Sequence, residues 1–141
     1  MEVKPDASYS YRMEATIEAM PALALWAETA ARNHADLNPK AVNSLLVCLE
    51  ELVVNVALHA TRDGFIPIVN IDLQITGGQI AVLIMDDGPP FDSIREAPSQ
   101  VETDLDLMGI GGLGLQIVRK LTHSMSYERT GDWNCTRLEI E

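Results

Sequence analysis

The stretch QIAVLIMDDGPPFD, at residues 79–92, decides the fold that we predict for this chain. Residues 79–85 are nearly all apolar, which favours a central β-strand that is covered on at least one face. The pair Gly77-Gly78 before it is a tight-turn signal, and residues 66–75 are rich in β-branched side chains. The sequence therefore predicts a hairpin whose second strand ends at Asp86.

The flanking sequence predicts three helices and three more strands around this hairpin. The predicted strands cover residues 9–17, 125–129 and 135–140. The predicted helices cover 22–34, 40–60 and 113–121, and Asn38 followed by Pro39 is a cap signal before the second of them. This order lacks the regular alternation that a doubly wound parallel sheet requires. We predict an α+β fold: a two-layer α/β sandwich with a mixed, mostly antiparallel sheet covered on one face by helices. The length of 141 residues predicts a single domain over 1–141.

Asp86 is the first candidate for a functional side chain. A carboxylate at the end of a buried strand is costly without a partner, and it can accept a hydrogen bond from an amino group of a base. Gly88 would let a flat base approach the backbone, because it has no side chain. An ordinary acidic turn also accounts for the run from Asp86 to Pro90, and this alternative remains open from the motif alone.

A polar stripe on the long predicted helix is the second candidate. Glu51, Asn55 and His59 recur every four residues, so their side chains share one face. An asparagine carbonyl is a suitable ligand for Mg²⁺ beside phosphates, and a glutamate one turn earlier can accept a proton from an attacking hydroxyl. A solvated helix face is the alternative interpretation of the same spacing.

A glycine-rich segment opens the third predicted helix and is the third candidate. Its glycines are Gly109, Gly111, Gly112 and Gly114. Backbone amides at a helix N-terminus favour phosphate, and glycines let the chain wrap closely around it. The segment is not a Walker A loop, because no Gly-Lys-Ser/Thr follows. A flexible hinge is the alternative. Residues 87–112 before it are predicted to be a loop, a length that is usually functional.

Composition narrows the function classes. The formal net charge of −11 argues against a nucleic-acid or anionic-membrane surface, since both need clustered Lys and Arg. We expect Cys48 and Cys135 to be free thiols in a reducing cytoplasm. We also expect no signal peptide, and we identify no apolar run close to the ~20 residues of a membrane span.

In combination, these motifs resemble the Bergerat-fold (GHKL, or histidine-kinase-like) ATPases. Residues 51–59 resemble the N box of that superfamily, Asp86-x-Gly88 its first glycine box and Gly112-x-Gly114-Leu115 its second. The segment Asp-Asp-Gly-Pro-Pro-Phe-Asp and the C-terminal residues 117–134 are similar to one branch, the anti-sigma-factor serine/threonine kinases of bacterial partner switching. The resemblance covers about residues 9–141 and places an ATP lid at about 93–112.

The resemblance implies a role for each matching position. Glu51 would be the catalytic base, Asn55 the magnesium ligand and Asp86 the partner of adenine. The implied nucleotide-binding residues are Asn55, Asp86, Gly88, Gly109, Gly111, Gly112, Leu113, Gly114 and Leu115. It further implies ATP and Mg as cofactors, a sigma factor and a small antagonist protein carrying a target serine as partners, and a homodimer. Pro90 departs from the family pattern, which often has a second glycine there.

Two other functions remain open beside a protein serine/threonine kinase. One is a nucleotide-binding partner-switch module without kinase activity, with which Pro90 and the small size are compatible. The other is the catalytic domain of a split histidine kinase, although no helical hairpin with a phospho-accepting histidine precedes the predicted domain. The type of phosphorylated residue on a partner separates these functions.

Overall fold

A five-stranded sheet forms one layer of the protein in our computed structural model, which describes residues 5–62, 64–96 and 112–141. The strands are β1 (Ala7–Glu14), β2 (Ile68–Thr76), β3 (Gln79–Asp86), β4 (Ser124–Thr130) and β5 (Trp133–Ile140). Their order in the sheet is β1-β2-β3-β5-β4, and all neighbouring pairs are antiparallel. The predicted α+β fold is confirmed, and the sheet of described strands is antiparallel rather than mixed.

The helices form the second layer. They are α1 (Met20–Arg32), α2 (Pro39–His59), α3 (Ser93–Glu96) and α4 (Gly112–Leu121), and a short 3-10 turn at Ile17–Ala19 precedes α1. Asn38 caps α2 as the sequence indicates, because its Oδ1 accepts a hydrogen bond from the backbone N–H of Lys40 at 2.9 Å. α3 lies inside the stretch predicted to be a loop. Most of the predicted lid, residues 97–111, lies outside the described residues.

The core lies between the helices and one face of the sheet. Alternate residues of the two central strands are buried there: Ile71, Leu73 and Ile75 from β2, and Ile80, Val82 and Ile84 from β3. α2 contributes Leu45, Leu49, Leu52 and Val53 to the same cluster. Residues on the other face of the sheet are half-buried or exposed. This asymmetry confirms a two-layer sandwich with helices on one side.

α2 corrects one expectation from the sequence. Among the described helices it is the one that is long and apolar enough to cross a membrane, with 21 residues and a mean hydropathy of 1.7 over its most apolar window. Half of that window is buried inside the fold, where it packs on the sheet. A core helix passes the same test of length and composition, and α2 is the central helix of this core.

The described cysteines are both free thiols, as expected. Cys48 is fully buried in α2, and desolvation by burial, with a smaller contribution from the charge of Glu51, raises the pKa of its thiol to about 12. This thiol therefore remains protonated at physiological pH and acts as a small apolar group in the core.

Candidate nucleotide site

A cavity of about 270 Å³ opens between α2 and the ends of β3 and β5. Its apolar wall includes Leu52, Val56, Ile84 and Phe91, and its polar lining includes Asn55, Asp86, Ser93, Asn134 and Thr136. A mostly apolar cavity with a few convergent polar groups is the usual form of a small-molecule site. The predicted helix stripe and the predicted strand end therefore meet in one place.

Asp86 lines this cavity and is only 8% exposed. Its Oδ1 accepts hydrogen bonds from the backbone N–H of Gly88 and from Nδ2 of Asn134, each at 3.0 Å. Burial raises the pKa of Asp86 above its ordinary value, and these two hydrogen bonds partly oppose that rise. No described residue donates a hydrogen bond to Oδ2 of Asp86, which leaves that oxygen available to a donor on a ligand.

Gly88 is required for packing as well as for access to the backbone. A Cβ at this position would lie 2.8 Å from the Cβ of Ala60, at the end of α2, and 3.0 Å from Oδ1 of Asp86. The glycine therefore allows the turn after β3 to lie directly against the end of α2. Arg129 holds the same turn from β4, since its Nη1 donates to the carbonyl oxygen of Gly88 at 2.8 Å.

Asn55 has the environment expected of a ligand-binding side chain. It is 6% exposed, lines the cavity, and makes no side-chain hydrogen bond within the part of the chain that the structure describes. Among those residues, every side-chain N or O atom that is completely inaccessible to solvent has a hydrogen-bond partner. The amide of Asn55 has none among the described residues, so it must be accessible, and the cavity that it lines is where it is exposed. A solvated helix face does not account for a side chain buried to this extent.

The side-chain oxygen of Asn55 is a suitable ligand for a magnesium ion that is also bound by phosphate oxygens. Mg²⁺ takes hard oxygen ligands and usually keeps several waters beside one or two protein groups. The described residues contain no cluster of three or more His, Cys, Asp or Glu side chains that could hold a metal ion without phosphate. Asn55 can therefore complete a magnesium–nucleotide complex, which brings most of its own oxygen ligands.

Glu51 lies one turn before Asn55 on α2, outside the cavity wall. Its carboxylate rests against Gly114 in α4: a Cβ on Gly114 would be 2.8 Å from Cδ of Glu51 and would overlap Oε2. Leu115, another predicted nucleotide-binding residue, is buried in the hydrophobic core. Glu51, Gly114 and Leu115 thus lie beyond the cavity, toward the first turn of α4.

The remaining predicted nucleotide-binding residues belong to the start of α4 or to the sequence before it. Gly112 begins α4 and Leu113 follows it, but the structure describes only their backbone. Gly109 and Gly111 lie outside the described residues. Their proposed contacts with phosphate stay predictions.

Several side chains shape the cavity beyond those to which the sequence assigns a binding role. The rings of His59 and Phe91 line it and lie nearly parallel, with centroids 6.1 Å apart and planes 16° apart. Thr136 and Ser93 are buried in its wall without side-chain hydrogen bonds from the described residues. The sequence of β5 contains a signal for two of the polar residues that line the cavity. Asn134 and Thr136 occupy buried positions in the row of inward-facing residues that continues with the apolar Leu138 and Ile140.

The family is established by sequence comparison. Residues 13–140 match the family described as the histidine kinase-like ATPase domain. The chain therefore belongs to the histidine kinase-like ATPases, as its motifs predicted, and the family implies ATP binding.

The relatives give a more particular likeness. Over 91 residues the chain is 29% identical to the serine/threonine-protein kinase BtrW of Bordetella bronchiseptica, and the match covers 64% of each protein. The matched part of this chain thus spans less than two thirds of that relative. The likeness is to a protein kinase that acts on serine or threonine.

Solved structures share the fold. The RsbU and RsbW domains of a Mycobacterium tuberculosis protein are similar with a TM-score of 0.66 and 12% identity, over 97% of this chain and 33% of that one. A blue-light-activated histidine kinase domain from Erythrobacter litoralis EL346 is similar with a TM-score of 0.53 and 17% identity, over 87% of this chain and 59% of that one. At these identities the likeness concerns the fold alone.

Proposed function

We propose that the protein is an ATP-dependent serine/threonine kinase that phosphorylates a serine of a small antagonist protein and sequesters a sigma factor. The observation that carries nucleotide binding is the meeting of Asn55 and Asp86 in one cavity, each buried and each with an unused hydrogen-bonding atom. The likeness to a serine/threonine-protein kinase supports the transfer step. The sigma factor and the antagonist come from the motif resemblance.

Each residue has a task in this proposal. Asp86 accepts a hydrogen bond from the amino group of adenine through Oδ2. Asn55 supplies one oxygen to magnesium, which neutralises charge on the terminal phosphates when it is bound. Glu51 accepts the proton of the serine hydroxyl. The phosphates would extend along α2 from Asn55 toward the first turn of α4, where the motif resemblance places Gly112 and Gly114 as nucleotide-contacting glycines.

The arrangement also supports a second function, nucleotide binding without transfer. Glu51 lies against Gly114 and outside the cavity wall, so the base site and the binding cavity are separate places on α2. A module that binds ATP and a protein partner would use the cavity and leave Glu51 idle. We further propose a cytoplasmic location, where ATP is available, and a homodimer, both on the basis of the motif resemblance.

The test begins with nucleotide binding by the purified protein. A ligand at 100 times its dissociation constant stabilises the folded state by about 2.7 kcal/mol. Thermal melts with magnesium-ATP, magnesium-ADP and magnesium-GTP should therefore show a shift of several degrees for the adenine nucleotides and a smaller shift for GTP. No shift with any of the three at millimolar concentration would contradict the proposed site.

The transfer step is tested with labelled ATP and a set of small candidate antagonist proteins. We expect an acid-stable phosphoserine on one of them, and its loss in Glu51→Gln while ADP binding is kept. A partner that binds but is never labelled would favour the binding module. An acid-labile, alkali-stable label would instead identify a phosphohistidine and a split histidine kinase.

A further inference from the structure

Asn134 is the most completely hydrogen-bonded side chain at the cavity. It lies on β5 directly opposite Asp86 on β3 and is 3% exposed. Its Nδ2 donates to Oδ1 of Asp86 at 3.0 Å and to the carbonyl oxygen of Pro89 at 2.9 Å. Its Oδ1 accepts from the N–H of Phe91 at 3.2 Å and from the hydroxyl of Tyr127 at 2.5 Å. These four bonds use the full capacity of an amide.

The partners of Asn134 fix the orientation of its amide. The backbone N–H of Phe91 can only donate and the carbonyl oxygen of Pro89 can only accept, so the NH₂ group must face Asp86. Oδ1 of Asp86 then receives two donors, from Asn134 and from the N–H of Gly88. Oδ2 receives none from the described residues, although the side chain lines the cavity.

We propose that Asn134 is the positioning residue that gives this cavity its preference for a base bearing an exocyclic amino group. It does so by holding Asp86 with Oδ1 occupied and Oδ2 turned toward the ligand. The inference rests on the proposed function, because it takes the ligand to be an adenine nucleotide. A base with a carbonyl oxygen at the same place would set two acceptors against each other, and a site built to receive an N–H rejects such a ligand.

The charge state of Asp86 depends on the same contact. Burial favours the neutral acid, whereas donation from Asn134 favours the carboxylate that accepts from an amino group. Loss of that donor should raise the pKa of Asp86 further, so that base recognition fails at a higher pH. The other titratable or charged groups around Asp86 and its cavity are Asp87, Arg129, Tyr127, His59 and Arg62.

Two nearly isosteric variants, Asn134→Thr and Asn134→Val, separate positioning from packing. Threonine keeps one hydroxyl that can donate to Asp86, whereas valine has the same shape and no donor, and both suit a strand. Dissociation constants for magnesium-ADP and magnesium-IDP, whose hypoxanthine carries a carbonyl in place of the amino group, are measured between pH 5 and 8. Asn70→Val, on β2, makes the same change on the open face of the sheet and is the control.

We expect the wild type and Asn70→Val to bind ADP at least about tenfold more tightly than IDP, the effect of one hydrogen bond to a charged group. Asn134→Val should reduce that preference to below about threefold and move the acid-side loss of ADP affinity to higher pH. Asn134→Thr should keep most of the preference. Asn134→Ala, with the same expected direction, replaces the valine variant if that variant does not fold.

Equal weakening of ADP and IDP by Asn134→Val, with the pH profile unmoved, would make Asn134 a packing residue and overturn the inference. Adenine preference retained in full by that variant would overturn it as well. Absence of ADP binding by the wild type itself would instead contradict the proposed function. The wild-type measurement thus distinguishes the two failures.

Discussion

The carboxylate of Glu51 lies so close to Gly114 that a larger residue at position 114 would have to displace it. A Cβ there would lie 2.8 Å from Cδ of Glu51 and overlap Oε2. This contact joins α2 to α4 one turn away from Asn55. Glu51, the proposed base, is therefore in direct contact with α4, the helix that follows the predicted lid. A displacement of either one requires the other to move.

Gly114→Ala should reveal this contact through a double-mutant cycle with Glu51→Ala. Alanine favours a helix over glycine by about 1 kcal/mol, but in the wild type it must displace the glutamate. We expect Gly114→Ala to stabilise the Glu51→Ala protein more than the wild type, with a coupling of at least ~0.5 kcal/mol in urea denaturation. Equal effects in both backgrounds would show that the two residues do not interact in solution.

Asp86→Asn should stabilise the ligand-free protein at neutral pH while it removes adenine binding. Burial raises the pKa of Asp86 in the folded state, so the native protein holds this proton more strongly than the unfolded chain does. The contribution of Asp86 to the free energy of unfolding therefore falls as pH rises from its pKa in the unfolded chain to its pKa in the folded protein. Above both pKa values this contribution stays unfavourable. Asparagine keeps an oxygen for the two hydrogen bonds and carries no charge.

Thermal melts from pH 4 to pH 8 test this sign. We expect the melting temperature of Asp86→Asn to exceed that of the wild type at pH 8, and the difference to shrink as pH falls through the folded-state pKa of Asp86. Asp132→Asn, on the exposed turn between β4 and β5, is the control and should show no such trend. If Asp86→Asn melts at a lower temperature than the wild type at pH 8, burial of the Asp86 carboxylate does not destabilise the ligand-free protein, and the prediction is wrong.

Asn55→Leu should leave the ligand-free fold intact and remove the magnesium dependence of nucleotide binding. No side-chain hydrogen bond to a described residue is lost, and leucine has a similar size and extends an apolar wall formed by Leu52 and Ile84. ADP affinity is measured by calorimetry with magnesium and with EDTA. Asn43→Leu, earlier on α2, is the matched control. If the ratio of ADP affinities with magnesium and with EDTA is the same in Asn55→Leu as in the wild type, Asn55 is not the metal ligand.

The elements that the sequence predicts well are those defined by local periodicity. The end of β3 at Asp86, the cap of α2 at Asn38 and the Gly77-Gly78 turn agree with the structure, in which both glycines have positive φ. Boundaries moved where a proline intervened: β2 was predicted from residue 66 but begins at Ile68, because Pro67 has no N–H for the ladder. α3 was missed, although Asp92 caps it by accepting from the N–H groups of Ile94 and Arg95.

The part of the site that could not be predicted comes from distant strand pairing. Asn134 reaches Asp86 across 48 positions of sequence, because β5 rather than β4 lies beside β3. No periodicity within either segment encodes that neighbour. Local patterns identified Asn55 and Asp86 as polar groups of interest, whereas only the order of the strands brings Asn134 and Thr136 to the same cavity.

α2 is both the central helix of the core and one wall of the cavity, and this has a consequence in living cells. Any molecule that fills the cavity and contacts Asn55 also contacts Leu52, which belongs to the hydrophobic core, so ligand binding adds to the free energy of unfolding. Protein abundance should then follow nucleotide supply, since unfolded chains are removed by proteases. A compound that replaces the nucleotide in the cavity would stabilise the folded protein in the same way and act as a pharmacological chaperone.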